Sequence, residues 1–210
     1  MPGPSALKTL LATAVVLLLA FGAPSPGRAE NDSIQQRNQF YRELAARTMA
    51  GPSATTAVRD ETVLLVSGVI RPGAHQQFRT ALSRGMPQLV VLDGPGGVLG
   101  EALLIAEEVR RRRLSTLVAD NRRCASACAI VFLSGSTKYM GSDAAVGLHS
   151  ASYADGRADP EATRLMAAYL SQVGVPSSTL RNMARTAPSD IRWLTADEQR
   201  AIGIRRYQRQ

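Results

Sequence analysis

From Glu61 onward the chain alternates β-branched apolar runs with stretches whose apolar residues recur every three or four positions. Thr62 to Ile70 (TVLLVSGVI) reads as a strand, Pro72-Gly73 as a turn and His75 to Arg84 as a helix. Gln88 to Leu92 predicts a second strand, Gly94-Pro95-Gly96-Gly97 a turn, and Val98 to about Arg113 a helix with Leu99, Ala102, Leu103, Ala106 and Val109 on its inner face. Leu114 to Ala119 is a third strand, Cys124 to Leu133 an apolar helix and Ala145 to His149 a further strand. That order predicts an α/β crossover domain with a mostly parallel sheet. Beyond Ser150 the pattern is helical. Asp159-Pro160 is an N-cap followed by proline at the first helical position, Pro176 to Arg185 starts another helix, and Thr195 with Glu198 forms a capping box that opens a last helix ending near Gly203.

The N-terminal stretches follow a different pattern. Lys8 precedes the apolar run Thr9 to Phe21, and small residues lead to Ala29 before Glu30. This is the layout of a secretory signal peptide over residues 1–29, and the run is short for a bilayer span. The expected location is the periplasm, with an uncleaved N-terminal anchor as the alternative. Residues 30–60 are polar, with a helix-like stretch at Gln39 to Met49 and a breaker at Gly51-Pro52, and read as an N-terminal arm preceding a domain over 61–210.

Composition narrows the chemistry. The 210 residues carry a net charge of +8. Loss of Lys8 and Arg28 with the signal peptide would leave +6. Arginine supplies nearly all the cations, since Lys8 and Lys138 are the only lysines. The run Arg110 to Arg113 looks like a nucleic-acid patch, but Glu107 with Arg111 and Glu108 with Arg112 are favourable helical pairs near a helix C-terminus, and aromatics are 5% of the chain. No nucleic-acid partner is expected; attraction to an anionic membrane surface stays open. The spacing of His75, Cys124, Cys128 and His149 matches no structural zinc pattern, so no metal is expected. The glycine-rich turn lacks the spacing of nucleotide-binding loops.

Three loops at strand ends carry the candidate chemistry: Asp93-Gly94-Pro95-Gly96-Gly97, Cys124-Ala125-Ser126-Ala127-Cys128, and His149. A serine, a distant histidine and outward-pointing backbone N–H groups are the minimum for nucleophilic acyl transfer. Taken alone, Ser126 between two alanines reads as an N-cap and His149 as a satisfied histidine at a strand end. His75, at a helix start, reads as structural. Cys124 and Cys128 are either a disulfide or two small buried thiols.

The segments LDGPGGVLGEALLIAEEVR, CASACAIVFLSGS, AAVGLHS and IRWLTADEQRAIGI together resemble the ClpP proteolytic subunits of the ClpP/crotonase-like superfamily, and small secreted ClpP-like bacterial proteins in particular. The resemblance runs from about Val63 to Ile204. It implies a ClpP/crotonase-like crossover fold and a serine hydrolase, with Ser126 as nucleophile, His149 as base 23 residues later, and Gly97 and Ala127 as oxyanion donors. The third member implied is Asp190, one residue further upstream of Trp193-Leu194-Thr195 than the family pattern places its acid. No cofactor is implied. The expected activity is an ATP-independent periplasmic serine hydrolase acting on a peptide or protein substrate, with no ATPase partner and with homo-oligomer assembly open. The alternatives are a non-catalytic ClpP-like binding or scaffold protein of the cell envelope, a crotonase-type acyl-thioester enzyme, and a Ser-Lys dyad using Lys138.

Overall fold

The computed structural model describes residues 55–60, 62–85 and 87–207, so the signal-peptide reading and most of the arm, including the helix-like stretch Gln39 to Met49, lie outside the described residues. Among the described residues nine strands form the sheet: β1 (Thr55–Asp60), β2 (Val63–Ile70), β3 (Leu89–Gly97), β4 (Ser115–Val118), β5 (Arg123–Ala125), β6 (Lys138–Met140), β7 (Ala145–Leu148), β8 (Arg192–Trp193) and β9 (Ile204–Arg206). Six helices accompany them: α1 (Ala74–Leu82), α2 (Leu99–Arg111), α3 (Ala127–Leu133), α4 (Pro160–Gln172), α5 (Ser177–Arg185) and α6 (Ala196–Ile202). Only β1 against β2 and β8 against β7 pair antiparallel; every other pair is parallel, as the alternation of strands and helices predicts.

The long strand β3 decides where the site falls. Its first half pairs with β4 through Leu89, Val90 and Val91, whereas its last part turns to pair with β5 through Gly94 and Cys124. It therefore joins two parts of the one sheet, a larger part containing β1, β2, β4, β6 and β9 and a smaller part containing β5, β7 and β8. The stretch Gly94 to Gly97, expected to be a turn, continues β3: Gly96 and Gly97 remain in register with Val69 and Ile70 of β2 across an irregularity. The glycines permit this because both have positive φ, 102° and 139°.

Apolar positions of β2 and β3 alternate, burying Leu64, Val66, Val90 and Leu92 on the helix side. On α2, Ala102, Leu103, Ala106 and Val109 are fully buried as their spacing predicts, while Leu99 is half-buried at the edge of a cavity. All seven residues of α3 are buried, which is why its sequence is apolar all round. It starts at Ala127, not Cys124; the residues read as its first turn form β5, a strand too short to show a period. The capping box on α6 and the Asp159 cap on α4 are both present. Residues Thr55 to Asp60, read as the end of the arm, are part of the sheet.

Candidate active site

The backbone places Ser126 between the end of β5 and the start of α3 with φ 55° and ψ −126°, a conformation that costs a non-glycine residue roughly 1–3 kcal/mol. A serine on a sharp strand-to-helix turn exposes its hydroxyl, and here the hydroxyl makes no capping bond to α3. The bland reading of Ser126 as an N-cap is therefore not what its geometry provides. Two constraints hold the turn. The Ser126 N–H donates to the Gly147 carbonyl of β7 at 2.9 Å. Cys124 and Cys128 are joined by a disulfide across the serine, with their Cα atoms 5.2 Å apart and both residues buried. Since Cys124 lies on a strand and only Cys128 on the helix, the pair escapes the poor side-chain vectors of two cysteines on consecutive turns.

The bond closes a short loop and so contributes little through chain entropy; its effect is local. Replacing both cysteines by alanine is expected to lower the thermal midpoint only modestly but to reduce the reactivity of Ser126 by about tenfold or more, as loss of positioning does. Labelling kinetics beside a melting curve would separate the two effects, and unchanged reactivity would remove the bracing role.

The glycine segment of β3 lies directly against this turn. A Cβ built on Gly96 would lie 2.7 Å from Ser126 Cβ and 2.8 Å from both the Ala125 carbonyl oxygen and the Ala127 nitrogen. One on Gly97 would collide with the Ile70 carbonyl of β2. Gly96, expected as part of a turn, is thus the residue that lets the β3 backbone approach the serine. The repeated glycine was the available signal, and nothing in the sequence distinguished its role from that of Gly97.

One cavity of about 130 Å³ gathers Gly97, Ser126, Ala127 and His149, with Leu99, Ile130, Ala162 and Met166 as apolar walls and Ser152, Tyr153 and Asp159 completing its rim. Ser126 and His149 are both half-buried. Their side chains share the cavity without a hydrogen bond between them, a bond that in such sites commonly tightens only around substrate. The spacing of 23 residues is accounted for by one crossover: β5 and β7 pair in parallel with Ala125 beside Gly147, so the residues just beyond both strands emerge together.

His149 Nδ1 lies 2.6 Å from the main-chain carbonyl oxygen of Ser150. No hydrogen bond joins Asp190, the expected third member, to the ring. Asp190 is exposed, and its carboxylate accepts from the N–H of Ile191 at 2.7 Å. The reason is where β8 begins. β7 pairs with β8 only through Gly147 with Trp193 and Leu148 with Arg192; Asp190 lies before that ladder, in a turn where its N–H donates to the Ala187 carbonyl at 3.0 Å, while the Ser150 N–H donates to the Thr186 carbonyl. Ile191 Cγ2 occupies the space above Gly147, the side to which His149 belongs.

Lys138 is half-buried, and burial lowers its pKa. It lies on β6, three strand spacings of about 4.8 Å from β5, beyond the reach a Ser-Lys dyad with Ser126 requires. His75 sits near Glu108, Nε2 to Oε1 4.0 Å, with its N–H donating to Glu101 at 2.7 Å, an arrangement that ties α1 to α2. The expected Glu108–Arg112 pair is present, but Arg111 also bonds Glu108, and Glu107 takes Arg110 in place of the expected Arg111. A larger cavity of about 530 Å³ lies on the other side of the sheet against Val63, Leu65 and Val91; Asp93 lines it, but Gly97, Ser126, Ala127, His149 and Asp190 do not. Among the described residues no group of His, Cys, Asp and Glu is assembled that could hold a metal ion, and no helix is long and apolar enough to cross a membrane.

Comparison with protein-family models and with curated proteins finds no match. Solved structures do match. The 1510-N membrane-bound stomatin-specific protease aligns, as a serine-to-alanine variant, with a TM-score of 0.50 and 18% identity over 70% of this chain and 78% of the other. A lysine-to-alanine variant of the same protease, in complex with a substrate peptide, aligns with a TM-score of 0.50 and 18% identity over 70% and 74%. A variant of ClpP1 from Listeria monocytogenes aligns with a TM-score of 0.53 and 15% identity over 71% and 94%. The chain therefore has the ClpP-like fold.

Proposed function

We propose that this ClpP-like chain is a serine hydrolase that cleaves peptide or protein substrates in the periplasm without ATP. The observation that carries the reading is the strained, uncapped Ser126, held in one cavity with His149 and with the glycine segment that ends at Gly97. Ser126 Oγ attacks the substrate carbonyl carbon and its proton passes to His149 Nε2. The N–H groups of Gly97 and Ala127 hold the resulting oxyanion. The bond to the leaving group then breaks, the leaving group takes the proton from His149, and an acyl-enzyme remains. Water, deprotonated by His149, attacks that ester and restores the serine. The buried disulfide supports an oxidising compartment, where ATP is not at hand. Peptide substrates are supported by the two fold relatives named as a protease and as ClpP1, one of them bound to a substrate peptide.

A fluorophosphonate probe tests the reading. Stoichiometric labelling of the folded protein that disappears in Ser126→Ala is expected. Folded protein that takes up no label would favour the second reading, a non-catalytic binding or scaffold protein of the cell envelope, for which the engagement of the Asp190 carboxylate with the Ile191 N–H instead of with His149 is the specific support.

A further inference from the structure

Resting on the hydrolase reading, we propose that His149 is oriented by the Ser150–Ala151 peptide group, itself held by Thr163, and not by a carboxylate. A main-chain carbonyl can only accept, so the 2.6 Å contact from His149 Nδ1 to the Ser150 oxygen requires the proton on Nδ1 and leaves the Nε2 lone pair facing outward as the base. This is the tautomer a serine nucleophile needs.

The peptide group that does this is fixed from both ends. Ser150 is buried, and its N–H and hydroxyl both donate to the Thr186 carbonyl, at 3.0 and 2.8 Å. On the far side of the same peptide the Ala151 N–H donates to Thr163 Oγ1 at 2.9 Å. The Thr163 hydroxyl in turn donates to the Asp159 carbonyl at 2.7 Å, so both its hydrogen-bonding roles are used. Thr163 lies on α4, buried, and touches no reacting atom; it is a positioning residue.

The carboxylates of Asp159 and Asp190 both accept from main-chain N–H groups. Asp159 lines the cavity, but Oδ1 accepts from the N–H groups of Glu161 and Ala162 at the start of α4. Asp190 sits in the turn before β8 with its carboxylate on the Ile191 N–H, and β8 beside it is pinned by the Leu194 N–H bond to Val146 at 2.8 Å and by the paired Arg192–Glu198 contacts at 3.0 and 2.8 Å.

The test is a nitrogen-resolved NMR spectrum of histidine side chains in the full chain, with His75→Gln identifying the His149 signals, beside the fluorophosphonate labelling rate. The expected wild-type spectrum shows neutral His149 protonated on Nδ1. Thr163→Val should give a mixture of tautomers and label about 10–100-fold more slowly, as loss of positioning does. Thr163→Ser should restore both. Asp190→Asn should leave the spectrum unchanged and the labelling rate within about twofold, as for a group outside the site. A wild-type His149 protonated on Nε2, or a tautomer that moves in Asp190→Asn, overturns the proposal; so does wild-type behaviour of Thr163→Val. The spectrum reports orientation whether or not Ser126 reacts, so an Nδ1–H tautomer in protein that takes up no label would refute hydrolysis and leave the orientation standing.

Discussion

Alanine at Ser126 is expected to lower kcat/KM for a cleaved ester or peptide by about 10⁴-fold or more, alanine at His149 by about as much, and the two together by little more than either alone. The non-addition is the informative part. A nucleophile without its base and a base without its nucleophile perform the same lost step, so removing the second costs nothing further. If the two residues acted separately, for instance as binding contacts on opposite walls of the cavity, their effects would multiply. Neither substitution opens a large hole in the core, because both side chains are half-buried at the cavity edge. Melting curves should accordingly stay close to wild type, and a double variant that loses the product of the two single losses would argue against a shared step.

Gly96→Ala carries the second large effect, and it acts on the serine from a neighbouring strand. The new methyl would press on Ser126 Cβ and on the Ala125 and Ala127 backbone at 2.7–2.8 Å, and φ at 102° is unfavourable for any side chain. None of those atoms is the far end of a flexible chain, so β3 and the serine turn have to part. A shift of about 1 Å in a positioned group costs on the order of 10²-fold in rate. The strain should also remove about 1–3 kcal/mol of stability. Gly174→Ala is the matched control. It also has a positive φ, 86°, but a Cβ there meets nothing within 4 Å. Strain alone predicts some loss of stability at Gly174 with kcat/KM unchanged. Equal losses of activity in the two variants would show that the close approach at Gly96 is not what matters.

Local chemistry made several features legible from residues alone. The apolar spacing of α2, the caps at Asp159 and Thr195, and the alternation of strands with helices each follow from side chains acting over one or two turns of chain. The intervals between the glycine segment, Ser126 and His149 carried meaning only through the resemblance to ClpP-like proteins; the structure accounts for the second of them by a crossover between adjacent parallel strands that returns the chain to the same sheet edge. The strands β5, β6, β8 and β9, of two or three residues each, were not visible, since a period of two needs more residues to declare itself. Nor could the sequence say whether Cys124 and Cys128 were bonded, because that depended on where α3 begins.

The orientation of the histidine belongs wholly to the tertiary structure. Asp190 precedes β8, and whether its carboxylate meets His149 depends on where the ladder of β8 with β7 ends and on the turn that ties the Asp190 N–H to the Ala187 carbonyl. The hydrogen bond from Ala151 to Thr163 spans 12 residues and leaves no periodic trace in the sequence. Residue order was enough to bring a serine and a histidine to one edge. Only the packing of α4 and β8 around that edge decided that a peptide carbonyl, and not an aspartate, meets the imidazole.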